Sequence, residues 1–206
     1  MMGAGAVQAN PWPRGEGNSF IALSVLNEDL SIWADHGLSS DRTLALSAYF
    51  GRNRDQRVGL RLTQSFENTL GQPRLGLFTF AEWRTDEMQT SHALGLGASV
   101  GRGLTSPFPG WASAEAQITM LRGTLYTRGI GHFEIKANAT LGFRPAERLT
   151  IFTQLQAEHA DGQTSAYLAP SVLWGIHPNA SVEAGLRRQF LGGTKQQLKM
   201  GTWLRF

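Results

Sequence analysis

His132-Phe133-Glu134-Ile135-Lys136-Ala137-Asn138-Ala139-Thr140-Leu141-Gly142-Phe143 alternates strictly in character. Phe133, Ile135, Ala137, Ala139, Leu141 and Phe143 share one parity, and His132, Glu134, Lys136, Asn138 and Thr140, all polar, share the other. A period of two belongs to an extended strand with one apolar and one polar face. The two aromatics on the apolar face are ten residues apart. At about 3.3 Å per residue that is about 33 Å of strand, or roughly 23 Å of height at a tilt of about 45°. A lipid-facing band between aromatic girdles is about 25 Å tall. The spacing matches, so the apolar face is expected to meet lipid and the polar face an enclosed interior. The rival is a soluble sandwich or lipocalin-like barrel, in which the apolar face turns inward.

The same alternation recurs along the chain, broken by Gly, Pro, Asn and Asp clusters. Leu149–Glu158, Ala112–Met120 and Ser181–Gln189 repeat it, as do SFIALSVL, RTLALSAYF, RVGLRLTQ, RLGLFTFAEW, ALGLGASV, AYLAPSVLW and the closing LKMGTWLRF. Pro170, in AYLAPSVLW, lacks an N–H and implies a bulge or local break in its ladder. These make about eleven candidates. A single-chain barrel with both ends on one side needs an even number. Twelve strands are expected, the missing one around Ser31 to His36; ten is the alternative.

Composition agrees with this all-β, closed antiparallel transmembrane barrel. Glycine stands at 24 of 206 residues, against an average of about 7%. Charged residues are 17%, and the net charge of +3 is spread from end to end, which argues against a nucleic-acid partner. There is no cysteine, so disulfides and thiolate metal sites are excluded. No stretch approaches 18 consecutive apolar residues, which excludes a transmembrane helix but not transmembrane strands. Residues 1–9 read as the remnant of a signal peptide, with Val7-Gln8-Ala9 of small-x-Ala character; 10–17 form a turn-rich lead-in, and 18–206 form the single barrel domain.

The closing strand carries a resemblance. Leu198, Met200, Thr202, Leu204 and Phe206 fall on one parity and end on an aromatic. In this the chain resembles bacterial outer-membrane β-barrel proteins, whose amphipathic last strand, usually ending in Phe, is read as an insertion signal by the outer-membrane assembly machinery. The turns at Gly51–Arg57 and Arg144–Leu149 resemble their short periplasmic turns. The resemblance implies residence in the bacterial outer membrane, contact with its lipid and lipopolysaccharide, transient contact with the assembly machinery, and a monomer. It does not imply an activity, because the class hosts pores, proteases, lipases and structural barrels.

If apolar faces meet lipid, the opposite parities line the interior. Arg61, Glu82, Glu115, Gln117, His132, Glu134, Lys136, Glu158, Glu183, Arg187, Lys199 and Arg205 are the lumen-facing candidates, with both signs interspersed. The expected lumen is filled by mutually satisfied charges, which suits a structural, envelope-integrity role. A narrow small-solute channel, porin-like, is the alternative. A lipid- or peptide-processing enzyme is third. Ser91-His92, Asp35-His36 and the pair His159 and Asp161 are its only candidates, and none forms a recognisable catalytic motif. No cofactor is expected. The five histidines are scattered, so no metal site is expected either, although Glu28, Asp29, Asp35 and Asp41 would suit a Ca²⁺ loop if 27–41 were one. A closed barrel stays folded in unboiled detergent. The chain is therefore expected to migrate differently on a gel with and without boiling, and identical migration would contradict the barrel.

Overall fold

The computed structural model describes residues 12–66, 73–85, 90–123 and 132–206. Twelve strands close into a cylinder. They are β1 (Ser19–Leu26), β2 (Asp29–Gly37), β3 (Arg42–Phe50), β4 (Gln56–Phe66), β5 (Arg74–Thr85) and β6 (Thr90–Leu104). The second half consists of β7 (Gly110–Gly123), β8 (His132–Ala146), β9 (Leu149–Ala160), β10 (Gln163–His177), β11 (Ala180–Leu191) and β12 (Gln196–Arg205). Each strand pairs antiparallel with its neighbours in sequence, and β1 closes on β12. The strand missing from the alternation count is β2, at the place expected. Residues 1–9, the expected signal remnant, lie outside the described residues.

The alternation settles which way each face points. Ile135, Leu141, Ile151, Leu155, Leu198 and Met200 are all exposed on the outside of the cylinder. The opposite parities, such as Glu115, Gln154, Ser171, Glu183 and Lys199, are buried within it. Exposed aromatics mark two levels of the outer wall. Phe66, Trp174 and Phe206 stand toward the rim where β1 begins and β12 ends, the terminal rim, with the half-buried Phe143 beside them, and Phe50, Trp83, Phe133 and Phe190 toward the far rim. Between them the middle of the wall is mainly aliphatic, as a lipid belt requires, with Gln64 and Arg188 just inside the two levels.

At the terminal rim the seam is tied by Ser19 N–H to Phe206 O (3.1 Å) and Phe206 N–H to Ser19 O (2.9 Å). The lead-in joins it, since Gly17 N–H donates to Gly37 O at 3.0 Å. Asp161 and Gly162 form the tight far-rim hairpin between β9 and β10, both at positive φ (51° and 74°), as a two-residue type I′ turn demands. Pro170 interrupts the ladder as expected: β10 meets β11 at Leu168↔Arg188 and again only at Ser171↔Gly185. One expectation fails. The turns at Gly51–Arg57 and Arg144–Leu149 lie at opposite rims, because the first follows an odd-numbered strand and the second an even-numbered one. Only Arg144–Leu149 shares the rim of the termini.

Ala139 sits mid-way between the two aromatics of β8 and faces outward. Ala139→Arg is expected to destabilise the folded barrel in vesicles by about 2–4 kcal/mol, the cost of a cation at mid-belt. A denaturant midpoint unchanged by that substitution would place this wall out of lipid.

Candidate functional site

The lumen is built in two halves with different chemistry. Toward the terminal rim it is aromatic. Phe20 meets Trp203 edge-on (centroids 5.5 Å, interplanar angle 89°), Phe152 tilts against Trp203 at 5.7 Å, and Trp111 approaches Phe152 at 6.4 Å. Ala22 and Leu173 complete this buried cluster, and Trp33 packs on it. Edge-to-face and tilted ring pairs stabilise by about 0.5–1.5 kcal/mol beyond the area they bury. From the lead-in, Arg14 reaches into the mouth. Its Nε and Nη2 donate to the two Asp35 oxygens at 2.6 and 3.0 Å, and its guanidinium lies 4.3 Å from the centre of the Phe20 ring. Trp33 Nε1–H donates to the same carboxylate at 2.8 Å.

The middle and far half are ionic. Arg61 of β4 forms a fork on Glu115 of β7 (2.7 and 3.3 Å) and stacks on Phe78 at 3.4 Å. Arg84 of β5 forms another on Glu134 of β8 (2.7 and 3.0 Å) and also pairs with Glu82. Each fork bridges three strand positions, so it runs as a chord through the lumen instead of along the wall. Lys136 links Glu134 (3.4 Å) and Glu158 (3.3 Å). Arg187 donates to Gln156 at 3.0 Å and Gln197 at 3.3 Å and covers the Tyr167 ring at 3.7 Å. Glycines of β6 make room for this layer: a Cβ on Gly97 would strike the Phe78 ring, and one on Gly95 the Phe80 ring.

One ion pair joins the halves. Lys199 Nζ stands 2.7 Å from Glu183 Oε1, and their side chains are 8% and 0% exposed. Trp203 Nε1–H donates to Glu183 Oε2 at 3.0 Å, so the aromatic cluster and the carboxylate hold each other. Bidentate and multiply bonded carboxylates of this kind are what make buried charge tolerable.

Hydration is one-sided. Away from the rims the inward side chains of β10 and β11 are sealed: Tyr167, Ala169, Ser171, Leu173, Ser181, Glu183, Arg187 and Gln189 are buried. Those of β8, His132, Glu134, Lys136, Asn138 and Thr140, are all only half-buried. Below them the Trp111 ring lies against Gly142, where no Cβ could fit. A polar strip thus descends along β8 and ends at an indole.

No protein-family model matches this sequence, and no curated protein matches it. Solved structures do. The NanC porin aligns with a TM-score of 0.64 at 7% identity, covering 91% of this chain and 98% of that one. The KdgM porin, solved in complex with disordered oligogalacturonate, aligns at 0.62 and 6% identity, covering 92% and 99%. The chain has the fold of the outer-membrane porins. Its exterior belongs in lipid, and barrels of this fold reside in the bacterial outer membrane. At this identity the likeness is one of architecture alone.

The sequence-derived lumen residues Arg61, Glu82, Glu115, Gln117, Glu134, Lys136, Glu158, Glu183, Arg187 and Lys199 lie on the inward parity of their strands. Arg205 lies at the terminal mouth and His132 at the far rim. Leu198, Met200, Thr202 and Leu204 occupy the outward face of β12, with Phe206 following on the same parity. The enzymatic candidates come apart. His159 faces outward and bonds Thr164 Oγ1 (2.8 Å), whereas Asp161 pairs with His132 Nδ1 (2.8 Å). Ser91 and His92, like Asp35 and His36, are strand neighbours and so point to opposite faces. The acids of 27–41 do not share a loop either. Most of that span is strand, with Glu28 and Asp29 at the far rim and Asp35 and Asp41 at the terminal end. Asp41 accepts from Ser39 and Gln64, each at 2.6 Å, which with the nearby Arg42 charge holds its carboxyl below the usual carboxylate range. Among the described residues no three acids or histidines are grouped to hold a metal.

Sequence reasoning missed the aromatic half of the lumen and Arg14. The aromatics had a signal: Phe152 and Trp203 fall on the polar parity of their strands. Glu183→Ala is expected to destabilise the barrel by about 3–5 kcal/mol by stranding Lys199, whereas the double variant Glu183→Leu with Lys199→Met loses far less. Equal losses in a denaturant titration would remove the coupling between them.

Proposed function

We propose that the chain is a narrow outer-membrane channel for small solutes, with a passage displaced toward the β8 wall. The observation that carries this reading is the one-sided solvent exposure of the lumen, with Glu134, Lys136, Asn138 and Thr140 half-buried on β8 and a sealed β10–β11 wall two and three strands further round. The charge along the passage favours neutral or zwitterionic solutes. Arg61, Arg84, Lys136 and Lys199 each face a carboxylate. A polyanion such as the oligogalacturonate held by the KdgM porin would have to compete with those acids for every cation. Trp111, at the foot of the strip, is the constriction.

A second reading, a sealed barrel of structural role, is favoured by the Phe20–Trp203–Phe152 cluster that closes the rest of the terminal half. Planar-bilayer recording separates the two. The channel reading expects small, discrete openings with a reversal potential near zero in a salt gradient, and a severalfold larger conductance for Trp111→Ala. An absence of openings in both proteins would leave the sealed barrel.

A further inference from the structure

The described outer wall carries arginines at both levels: Arg42 at the terminal one, which donates to Gln64, and Arg188 at the far one, which the lipid belt does not explain. On β11 the outward residues run Val182, Ala184, Leu186, Arg188, Phe190, so Arg188 sits one step inside the aromatic that marks the far end of that strand. Among the described residues no acid pairs with its guanidinium. An outward cation costs up to about 2–4 kcal/mol at mid-belt and about 0–1 near the interface, so an unpaired one near the rim is tolerable but gains from an anion.

Arg188 also borders a groove of about 760 Å³ on that wall. The groove opens where the β10–β11 ladder lapses at Pro170. It is amphipathic along its length: the cross-strand row Leu155, Leu168, Arg188, Gln196 turns from apolar to polar as it nears the far ends of its strands, with Pro170 on the belt side and Thr194 in the far-rim turn. A headgroup end and a chain end are thus laid out in the order a lipid standing in the outer leaflet presents them.

We propose that this groove binds one phosphorylated acyl glycolipid of the outer leaflet, the lipid A portion of lipopolysaccharide. An acyl chain lies over Leu155, Leu168 and Pro170, and a phosphate accepts from Arg188. The far rim is taken as the outer one because β1 begins and β12 ends at the other. Conduction through the lumen plays no part, so this site and the channel reading stand or fall separately.

The test uses the folded barrel in nonionic detergent titrated with diphosphorylated lipid A and read by native mass spectrometry. Arg188→Gln is expected to weaken binding about tenfold, as loss of a charge-assisted bond to phosphate does, while Arg188→Lys keeps most of it. Leu155→Trp, which fills the chain end with the β10 strand between it and Arg188, is expected to weaken binding too. Dephosphorylated lipid A should bind the unaltered protein no better than lipid A binds Arg188→Gln. Heat-dependent gel migration confirms that each variant is folded. Unchanged binding in Arg188→Gln or in Leu155→Trp overturns the proposal, as does equal binding of phosphatidylglycerol or of the dephosphorylated lipid.

Discussion

In hydrocarbon no water is present to bond a backbone amide, and each one left unpaired costs several kcal/mol. A sheet in that solvent must have no edge. Everything else in this molecule follows from the seam between β1 and β12, where Phe20 to Leu26 register against Arg205 to Lys199 and the wall becomes continuous. Closure encloses a volume, and the inward parity of twelve strands must fill it. The outward parity, released from any duty to form a core, becomes an aliphatic belt between two aromatic levels.

The enclosed volume is filled in two ways, and each compensates a different cost. In the terminal half, Phe20, Phe152 and Trp203 bury ring surface as a soluble core does. In the far half, charge is retained, and it is kept affordable by geometry. Forks such as Arg61 on Glu115 satisfy several donors and acceptors at once, and rings such as Phe78 and Tyr167 lie under the guanidiniums. Glu183 belongs to both regimes, ion-paired with an ammonium at one oxygen and accepting from an indole at the other. That shared carboxylate fixes the register of the aromatic cluster against the ionic layer.

Much of this was legible from alternation. β8 could be read directly, because its faces differ at every step and its aromatics bracket the belt. β2 was harder: its inward face mixes Ser31, Trp33 and Asp35, and its outward face mixes Leu30, Ile32 and His36, so polarity does not sort by parity. The omission has a geometric effect, since one strand more or less moves every later turn to the other rim. It moves Gly51–Arg57 and Arg144–Leu149 together, since both follow β2; what puts these two short polar turns at opposite rims is the odd number of strands between them, β4 to β8. Arg14 could not have been read at all. Its partner Asp35 is 21 residues away, and no periodicity links a lead-in to a strand.

The strands differ in length around the circumference. β1 has 8 residues and β12 has 10, while β6, β8 and β10 have 15 each. Eight residues at about 3.3 Å and a tilt of about 45° rise only about 19 Å, short of a belt about 25 Å tall. The cylinder is therefore low on the side where it is sewn shut and high on the opposite side. Hydrophobic mismatch of this kind is relieved by thinning the adjacent bilayer or by leaning of the protein. The lipid beside the suture is accordingly the most deformed in the annulus.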